Sequence, residues 1–177
     1  MRNGSRIGTV ALAAAALLLP GVTHASGDAP FLTRSEARTL AAADIDVQQL
    51  APGWELVDDD LVWDDGAVMV SVTPMAASDC DAGYLCFWED KNFTGRRLQF
   101  QSNGLRGDMR DYSFNYQMSS WRNRLAKDAR WSYNYDGTGT SRCMDNGTRN
   151  SDVGAGLLNV DNDEMSSFRI YAGSDKC

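Results

Sequence analysis

Apolar and polar residues alternate in short runs over the second half of the chain, and no helical period is sustained there. The apolar runs are strand-sized and are separated by Gly, Asn and Asp, which favour turns. These runs are YLCFW (84–88), RRLQF (96–100), SSWRNRL (119–125), ARWSYNY (129–135) and SSFRIY (166–171). The pattern predicts an all-β domain over residues 79–177, a length of roughly 100 residues that suits one sandwich.

Residues 26–78 carry a different pattern. Thr33 and Glu36 form a capping-box pair at the start of a short helical segment. Residues 53–74 then alternate apolar and acidic positions around the turn signal DDG at 64–66, which predicts a hairpin. About fifty residues with so few core candidates are marginal as an independent domain. We interpret them as an acidic helix-plus-hairpin extension, or propeptide, that rests on the basic domain; a loosely structured acidic linker is the alternative.

An internal repeat lies within the predicted β domain. The sequence NYQMSSWR at 115–122 recurs as NDEMSSFR at 162–169, with five of eight positions identical. Chance is a poor explanation for that agreement within a single chain. The repeat therefore predicts two copies of one supersecondary unit.

Each copy follows a signal in which an aromatic residue precedes a glycine. Trp88 lies seven residues before Gly95, and Trp131 lies eight residues before Gly139. A hairpin folded onto its own sheet needs a positive φ where the backbones approach, and glycine adopts that conformation most readily. The aromatic residue covers the hairpin, and a later serine hydrogen-bonds its turn. Two such units predict a Greek-key sandwich of two motifs.

The N-terminus combines a basic start, an apolar run of 13 residues and the small-residue sequence THA, which is typical of a secretory signal peptide (residues 1–25) cut after Ala25. The run is shorter than the roughly 18 residues of a membrane-spanning helix, so we expect a secreted protein with no membrane partner. The only histidine in the sequence, His24, falls inside this leader. The mature chain then has no Ser–His–Asp triad, Cys–His pair or imidazole zinc site, and we expect no enzymatic activity. Carboxylates are plentiful enough to leave acid–base chemistry open.

Four cysteines remain in the mature chain: Cys80, Cys86, Cys143 and Cys177. An even number of cysteines in an exported protein indicates disulfides, and four cysteines allow three connectivities. We favour Cys80–Cys86 with Cys143–Cys177, because the second bridge pins the C-terminus to the domain. A site with four thiolate ligands is disfavoured because no C-x-x-C spacing occurs.

The charges are unevenly distributed. Residues 39–90 hold twelve acidic residues and no Lys or Arg, whereas residues 91–130 hold nine basic residues against three acidic ones. The basic residues are scattered between hydrophobic positions, which is typical of a solvated strand face rather than of a nucleic-acid patch. We expect a monomer with no nucleic-acid partner.

The aromatic-x6-Gly pattern followed by a late serine resembles the βγ-crystallin Greek-key motif, and FWEDKNFTG (87–95) is similar to its first strand and hairpin. Among exported bacterial proteins, residues 80–177 most resemble peptidase inhibitor family 36, whose founding members are secreted βγ-crystallin-like inhibitors of metalloproteinases. The resemblance implies a βγ-crystallin-like fold and an extracellular protease as partner. The same fold also carries calcium binders, toxins and structural proteins.

The ends of the two repeat copies also resemble the calcium-binding form of this motif, [N/D]-[N/D]-x-x-[S/T]-S. The second copy, residues 162–167, matches every position. The implied ligands are Asn162, Asp163 and Ser166, a carbonyl near Glu164, and Glu89 from the other motif. In the first copy Tyr116 replaces the second acid or amide, so we expect one calcium site rather than two. The alternative, in which both segments are hydrogen-bonded turns that bind no ion, stays open.

Residues 140–147, TSRCMDNG, lie where the family resemblance places its inhibitory strand. The resemblance implies a substrate-like loop formed by Arg142, Cys143, Met144 and Asp145. Cys143 tethers the loop, Met144 fills the apolar pocket of a thermolysin-type enzyme, and Asp145 approaches the catalytic zinc. The alternative is that Met144 is an ordinary strand residue.

These observations together predict a secreted, non-enzymatic inhibitor of extracellular proteases, with metalloproteinases as the expected targets. A calcium-binding structural or binding module of βγ-crystallin type, without inhibitory activity, is the alternative. The sequence does not separate either from a small exported toxin.

Overall fold

The computed structural model describes residues 32–76, 80–101, 106–156, 159–173 and 175–177. The predicted signal peptide, residues 1–25, lies outside this part of the chain, as do the first residues of the predicted extension. No helix within the described ranges is long and apolar enough to cross a membrane.

The described residues form one α-helix and eleven strands, and all the strand pairs are antiparallel. The helix α1 spans Arg34–Ala42, and the strands are β1 Glu55–Val57, β2 Asp60–Trp63, β3 Val68–Ser71, β4 Leu85–Asp90, β5 Thr94–Phe100, β6 Arg106–Asp108, β7 Ser120–Asn123, β8 Ala129–Ser132, β9 Ser141–Met144, β10 Arg149–Asn150 and β11 Ser167–Ile170. One sheet has the order β1-β2-β3-β5-β4-β7-β10, and the other has the order β6-β11-β8-β9.

The two repeat units exchange strands between the sheets. β6 follows the first hairpin but pairs with β11 of the second unit, and β10 lies between β9 and β11 in the chain but pairs with β7 of the first unit. This exchange is what a Greek-key connection produces. The predicted all-β sandwich of two motifs is therefore confirmed.

The helix begins where the capping box predicts. The side-chain oxygen of Thr33 accepts a hydrogen bond from the backbone N–H of Glu36 at 3.3 Å, and the Glu36 carboxylate accepts one from the Thr33 N–H at 2.6 Å. These two bonds satisfy donors that the first turn leaves unpaired. Leu40 is the buried side chain of the helix, so α1 contacts the core through a narrow apolar face.

The acidic strands that follow α1 form a three-stranded meander. The predicted hairpin around DDG is present as β2 and β3, and a second turn at Asp58–Asp59 joins β1 to β2. β3 then pairs with β5, with Val70 opposite Leu98. The alternative of a loosely structured linker is therefore wrong for residues 32–76, which extend the larger sheet of the β domain.

One hydrophobic core joins the extension to the rest of the molecule. Leu61, Trp63 and Val70 of the extension belong to the same buried cluster as Phe87 and Phe100. Trp63 also donates its indole N–H to the Ala51 carbonyl at 3.0 Å. The boundary that the sequence suggests near residue 78 does not divide the core.

Both favoured disulfides are confirmed. Cys80 and Cys86 are bridged with a Cα–Cα distance of 5.8 Å, and Cys143 and Cys177 are bridged at 5.7 Å. The first bridge is buried beside Trp88 in a small second cluster, whereas both cysteines of the other bridge are exposed.

The first folded hairpin depends on a close backbone approach at Gly95. This glycine has φ +80°, and a Cβ at this position would lie 2.8 Å from a carboxylate oxygen of Asp90. The hydroxyl of Ser120 donates to the Asp90 carbonyl at 2.7 Å and accepts from the Phe93 N–H at 3.1 Å. The predicted roles of the glycine and the late serine are therefore observed here.

The second hairpin repeats this geometry. Gly139 has φ +77°, and a Cβ there would lie 2.9 Å from the side-chain nitrogen of Asn134. The hydroxyl of Ser167 donates to the Asn134 carbonyl at 2.5 Å. Asn134 is thus the equivalent of Asp90 in the first copy.

The correspondence between the two copies differs by one residue from the one that the sequence suggests. The carbonyl of Trp88 accepts from the Ser119 N–H at 2.9 Å, and the carbonyl of Ser132 accepts from the Ser166 N–H at 3.0 Å. The equivalent of Trp88 is therefore Ser132, and Trp131 lies one position earlier. Successive strand residues point to opposite faces, which is why Trp131 lies in the main core and Trp88 in the small cluster beside the disulfide.

Replacing Leu61 with Ala should destabilise the whole protein. Leu61 is fully buried in the shared core, and truncating such a side chain lowers the free energy of unfolding by about 2–5 kcal/mol. Urea denaturation of the full chain, followed by far-UV and near-UV circular dichroism, should show one shifted transition. Val57→Ala is the control, because Val57 is exposed in β1 and its truncation should change stability by less than about 0.5 kcal/mol. A separate early transition would show instead that the N-terminal strands unfold independently.

Candidate functional site

The predicted inhibitory residues lie at the edge of the smaller sheet. β9 is the terminal strand in the order β6-β11-β8-β9, and its residues pair with β8. Arg142 and Cys143 are exposed there, and Asp145 follows the strand at the surface. These three residues remain accessible to a protein partner.

Met144 does not have the accessibility that an inhibitory residue needs. Its side chain is 0% exposed and belongs to the main core. The Met144 carbonyl also accepts a hydrogen bond from the side-chain amide of Asn123 at 2.8 Å. The expectation that Met144 fills a protease pocket is therefore wrong for this structure, because β9 would have to leave the sheet to release the side chain.

Arg142 is held against the segment that precedes the second repeat. Its guanidinium forms an ion pair with Asp161 at 2.8 Å and a further hydrogen bond at 3.0 Å. The hydroxyl of Tyr133 donates to the same carboxylate at 2.6 Å. Burial and this hydrogen bond raise the pKa of Tyr133 to about 12, so the tyrosine keeps its proton. β9 is thus joined to Asp161 by a network that the sequence did not indicate.

The two copies of the repeat meet directly. The Asp163 N–H donates to the Met118 carbonyl at 3.2 Å, and the Tyr116 N–H donates to the Met165 carbonyl at 3.0 Å. Asp163 and Tyr116 both have φ +58°, a left-handed conformation that is uncommon for residues other than glycine. The predicted calcium segment is therefore built by reciprocal contacts between equivalent positions.

Three oxygens in these segments are buried without a hydrogen-bond partner: Asn115 Oδ1, Asn162 Oδ1 and Ser166 Oγ. The Asp163 carboxylate lies beside the Asn162 amide and the Ser119 hydroxyl, because it accepts from Asn162 Nδ2 at 2.5 Å and from Ser119 Oγ at 3.3 Å. Carboxylate, amide and hydroxyl oxygens are the ligands that Ca²⁺ prefers. The side chains of Asn162, Asp163 and Ser119, from both copies, bring these three ligand types together.

Glu89 and Glu164 are the other two residues predicted to supply calcium ligands. Both carboxylate oxygens of Glu89 are bound by Arg96, whose backbone N–H lies at 3.0 Å and whose guanidinium lies at 2.6 Å. The Arg96 guanidinium is also bonded to the Gln117 side chain at 2.7 Å. Glu89 therefore has a structural partner, and Glu164 is half-buried within the second segment.

A further cluster of residue types that can bind metal ions contains no free thiolate. Cys143, Asp145 and Cys177 have candidate ligand atoms within 4.8 Å of one another. The two sulfurs form a disulfide, so neither is a thiolate ligand.

Comparison with known proteins finds a family that the central segment resembles. The protein-family model described as "Peptidase inhibitor family I36" matches residues 73–144 of this chain. This segment is similar to that family, and it makes up less than half of the chain. It runs from the end of the extension to the last residue of β9, so it contains the whole first hairpin and the second hairpin. The description names peptidase inhibitors, and two disulfides are typical of proteins in an oxidising environment.

Solved structures of βγ-crystallin type align with the chain. A structure described as "Evolution of the eye lens beta-gamma-crystallin domain fold" has 17% identity and a TM-score of 0.48, and the match covers 59% of this chain and 99% of that chain. A βγ-crystallin from Ciona intestinalis has 22% identity and a TM-score of 0.42, with coverage of 50% and 99%. A βγ-crystallin domain from Clostridium beijerinckii has 25% identity and a TM-score of 0.41, with coverage of 49% and 95%. No curated protein matches the sequence.

Proposed function

We propose that this protein is a secreted inhibitor of extracellular peptidases, with metallopeptidases as its principal targets. The match of residues 73–144 to peptidase inhibitor family I36 carries this proposal. The two disulfides favour an oxidising, extracellular location. The absence of histidine after residue 24 favours binding over catalysis.

Rigidity of the second hairpin and β9 supports inhibition by a preformed surface. Binding is weakened when a loop must be ordered on association, and a loop ordered during folding avoids that loss. Here β9 is fixed by pairing with β8, by the Cys143–Cys177 bridge and by the Arg142–Asp161 ion pair. The protease therefore meets a surface that needs little rearrangement.

The full chain should inhibit a thermolysin-like metallopeptidase when the two are titrated at fixed substrate concentration. Residual activity should fall with increasing inhibitor, and a trypsin-like serine peptidase serves as the comparison enzyme. Full metallopeptidase activity at a hundredfold molar excess would reject that target class. If only the serine peptidase is inhibited, the protein is still an inhibitor, but its targets are serine peptidases rather than metallopeptidases.

Met144→Leu is an informative control in the same titration. The volume-conserving exchange keeps the buried side chain apolar, and such exchanges usually lower stability by less than about 1.5 kcal/mol. If the buried Met144 is only a core residue, the inhibition constant should stay the same. A large change in that constant with an unchanged melting temperature would restore a contact role for Met144.

Calcium binding is a second candidate function, which the unpaired oxygens of the second repeat copy favour. An unpaired buried hydroxyl or amide oxygen destabilises a protein by about 1–3 kcal/mol. Asn162, Asp163 and Ser166 would hold the ion, which would neutralise the carboxylate and satisfy the two unpaired oxygens. The first copy offers Asn115 but has Tyr116 in place of the carboxylate, so one ion is expected.

Calcium should raise the melting temperature of the full chain relative to a sample with chelator. Binding to the native state at a hundredfold excess over Kd stabilises it by about 2.7 kcal/mol. Ser166→Ala should abolish this increase, yet leave the melting temperature in chelator unchanged or higher, because it removes an unpaired buried oxygen. Ser119→Ala should also reduce the increase, because the Ser119 hydroxyl donates to the Asp163 carboxylate at 3.3 Å, whereas Val57→Ala in β1 should retain it. An unchanged melt of the parent protein with calcium would contradict the site.

A further inference from the structure

The loop of the second folded hairpin, residues 134–139, presents an aromatic side chain to solvent. Tyr135 is 56% exposed, which makes it one of four large hydrophobic side chains exposed in the described residues. Its neighbours Asn134 and Asp136 are exposed as well. An exposed tyrosine needs no explanation by itself, so the question is whether its surroundings are organised.

Hydrogen bonds within the loop fix its shape. Asp136 Oδ1 accepts from the backbone N–H of Thr138 at 3.0 Å and from its hydroxyl at 2.6 Å. Asn134 Nδ2 donates to the same hydroxyl at 2.9 Å, and the Asn134 carbonyl accepts from the Gly137 N–H at 3.1 Å. The bonds from Thr138 lower the pKa of Asp136, so the carboxylate stays ionised. The loop is therefore ordered before any partner arrives.

The first repeat unit supports the loop from outside. The guanidinium of Arg110 lies 4.0 Å from the centroid of the Tyr135 ring, within the range of a cation–π interaction. Arg110 is itself paired with Asp108 at 2.5 Å, and Arg106 donates to the Asp136 carbonyl at 3.5 Å. One face of the tyrosine ring is thus fixed in place while much of the side chain remains accessible.

The first hairpin provides an internal comparison. Asn134 is the equivalent of Asp90, so Tyr135 is the equivalent of Lys91 and Gly137 is the equivalent of Phe93. In the first copy, Phe93 packs edge-on against Trp88 with ring centroids 5.2 Å apart. Lys91 forms an ion pair with Asp152 at 3.0 Å. In the second copy the inward aromatic is replaced by glycine and the outward lysine by an aromatic. The stability of the hairpin does not require this outward aromatic, because the first hairpin closes without one.

From this arrangement we infer that Tyr135 is the side chain that this protein inserts into the substrate-binding cleft of its target peptidase. The partner is a peptidase with a pocket that accepts an aromatic side chain. Tyrosine is enriched among residues that dominate binding energy, because it buries a large area with few rotatable bonds. A rigid support lowers the entropy lost on association. The inference rests on the inhibitor function proposed above. In it, Tyr135 takes the contact role that the sequence assigned to the buried Met144.

The test compares Tyr135→Ala, Tyr135→Phe and Lys91→Ala in the full chain. Inhibition constants are measured against a thermolysin-like metallopeptidase and a chymotrypsin-like serine peptidase, both of which accept bulky apolar or aromatic side chains. Tyr135→Ala should raise the inhibition constant for the inhibited enzyme by at least about tenfold, as expected for a binding hot spot. Tyr135→Phe should stay within about threefold, because the ring carries the contact. Lys91→Ala, the matched position in the first copy, should stay within about twofold.

The outcomes separate the inference from the proposed function. If the parent protein inhibits an enzyme and Tyr135→Ala inhibits it equally well, the inference is overturned and the inhibitor function stands. A tenfold loss in Lys91→Ala as well would also overturn it, because the effect would not be specific to the second hairpin. If the parent protein inhibits neither enzyme, both the inhibitor function against these classes and the inference fail. Equal melting temperatures for all variants exclude misfolding as the cause of a loss.

Discussion

The close approach of each folded hairpin to its own sheet is the constraint on which the rest of this structure depends. At Gly95 and Gly139 the chain adopts a positive φ where a Cβ would meet a side chain at 2.8–2.9 Å. A serine hydroxyl from the following motif segment, Ser120 or Ser167, then closes each turn. Because each closing serine lies within a repeat segment, the same contact sets where residues 115–122 and 162–169 lie. The candidate calcium segment and the exposed loop are both consequences of this one geometry.

The N-terminal strands solve a different problem, the exposed edge of a sheet. Without β3, the edge of β5 would present unpaired N–H and C=O groups, which favour aggregation. The extension covers that edge and adds apolar side chains to the core. It also brings acidic residues beside the basic domain: burial raises the pKa of Asp60, and the nearby charge of Arg97 opposes that rise. Acidic and basic residues that are separate in the sequence thus meet in one sheet, with Asp60 of β2 and Arg97 of β5 on either side of β3.

Local signals predicted the helix cap, the DDG hairpin, the repeat and both disulfides, because each depends on residues near in sequence or on covalent chemistry. The features that the sequence did not show depend on strand pairing and hydrogen bonds between residues that are distant in sequence. The burial of Met144 follows from its position opposite Ala129 of β8, and its exposed neighbours gave no indication of it. The equivalence of Trp88 with Ser132 required the hydrogen bonds of the two closing segments, since two tryptophans at similar spacing favoured the wrong alignment. The pairing of β3 with β5 left no sequence signal beyond the alternation of the strands themselves.

The two copies differ mainly at positions that do not hold their hairpins closed. Both copies have the same glycine and the same closing serine, so the same contacts hold each hairpin closed. Lys91 and Tyr135 occupy equivalent outward positions, and so do Tyr116 and Asp163 at the junction of the copies. A residue outside the closing contacts can change without loss of the fold, because the hairpin does not depend on it. The second copy has the exposed aromatic and the acidic ligand, whereas the first has a surface ion pair and a tyrosine at those positions. Binding chemistry is therefore expected in the second copy, and architecture in both.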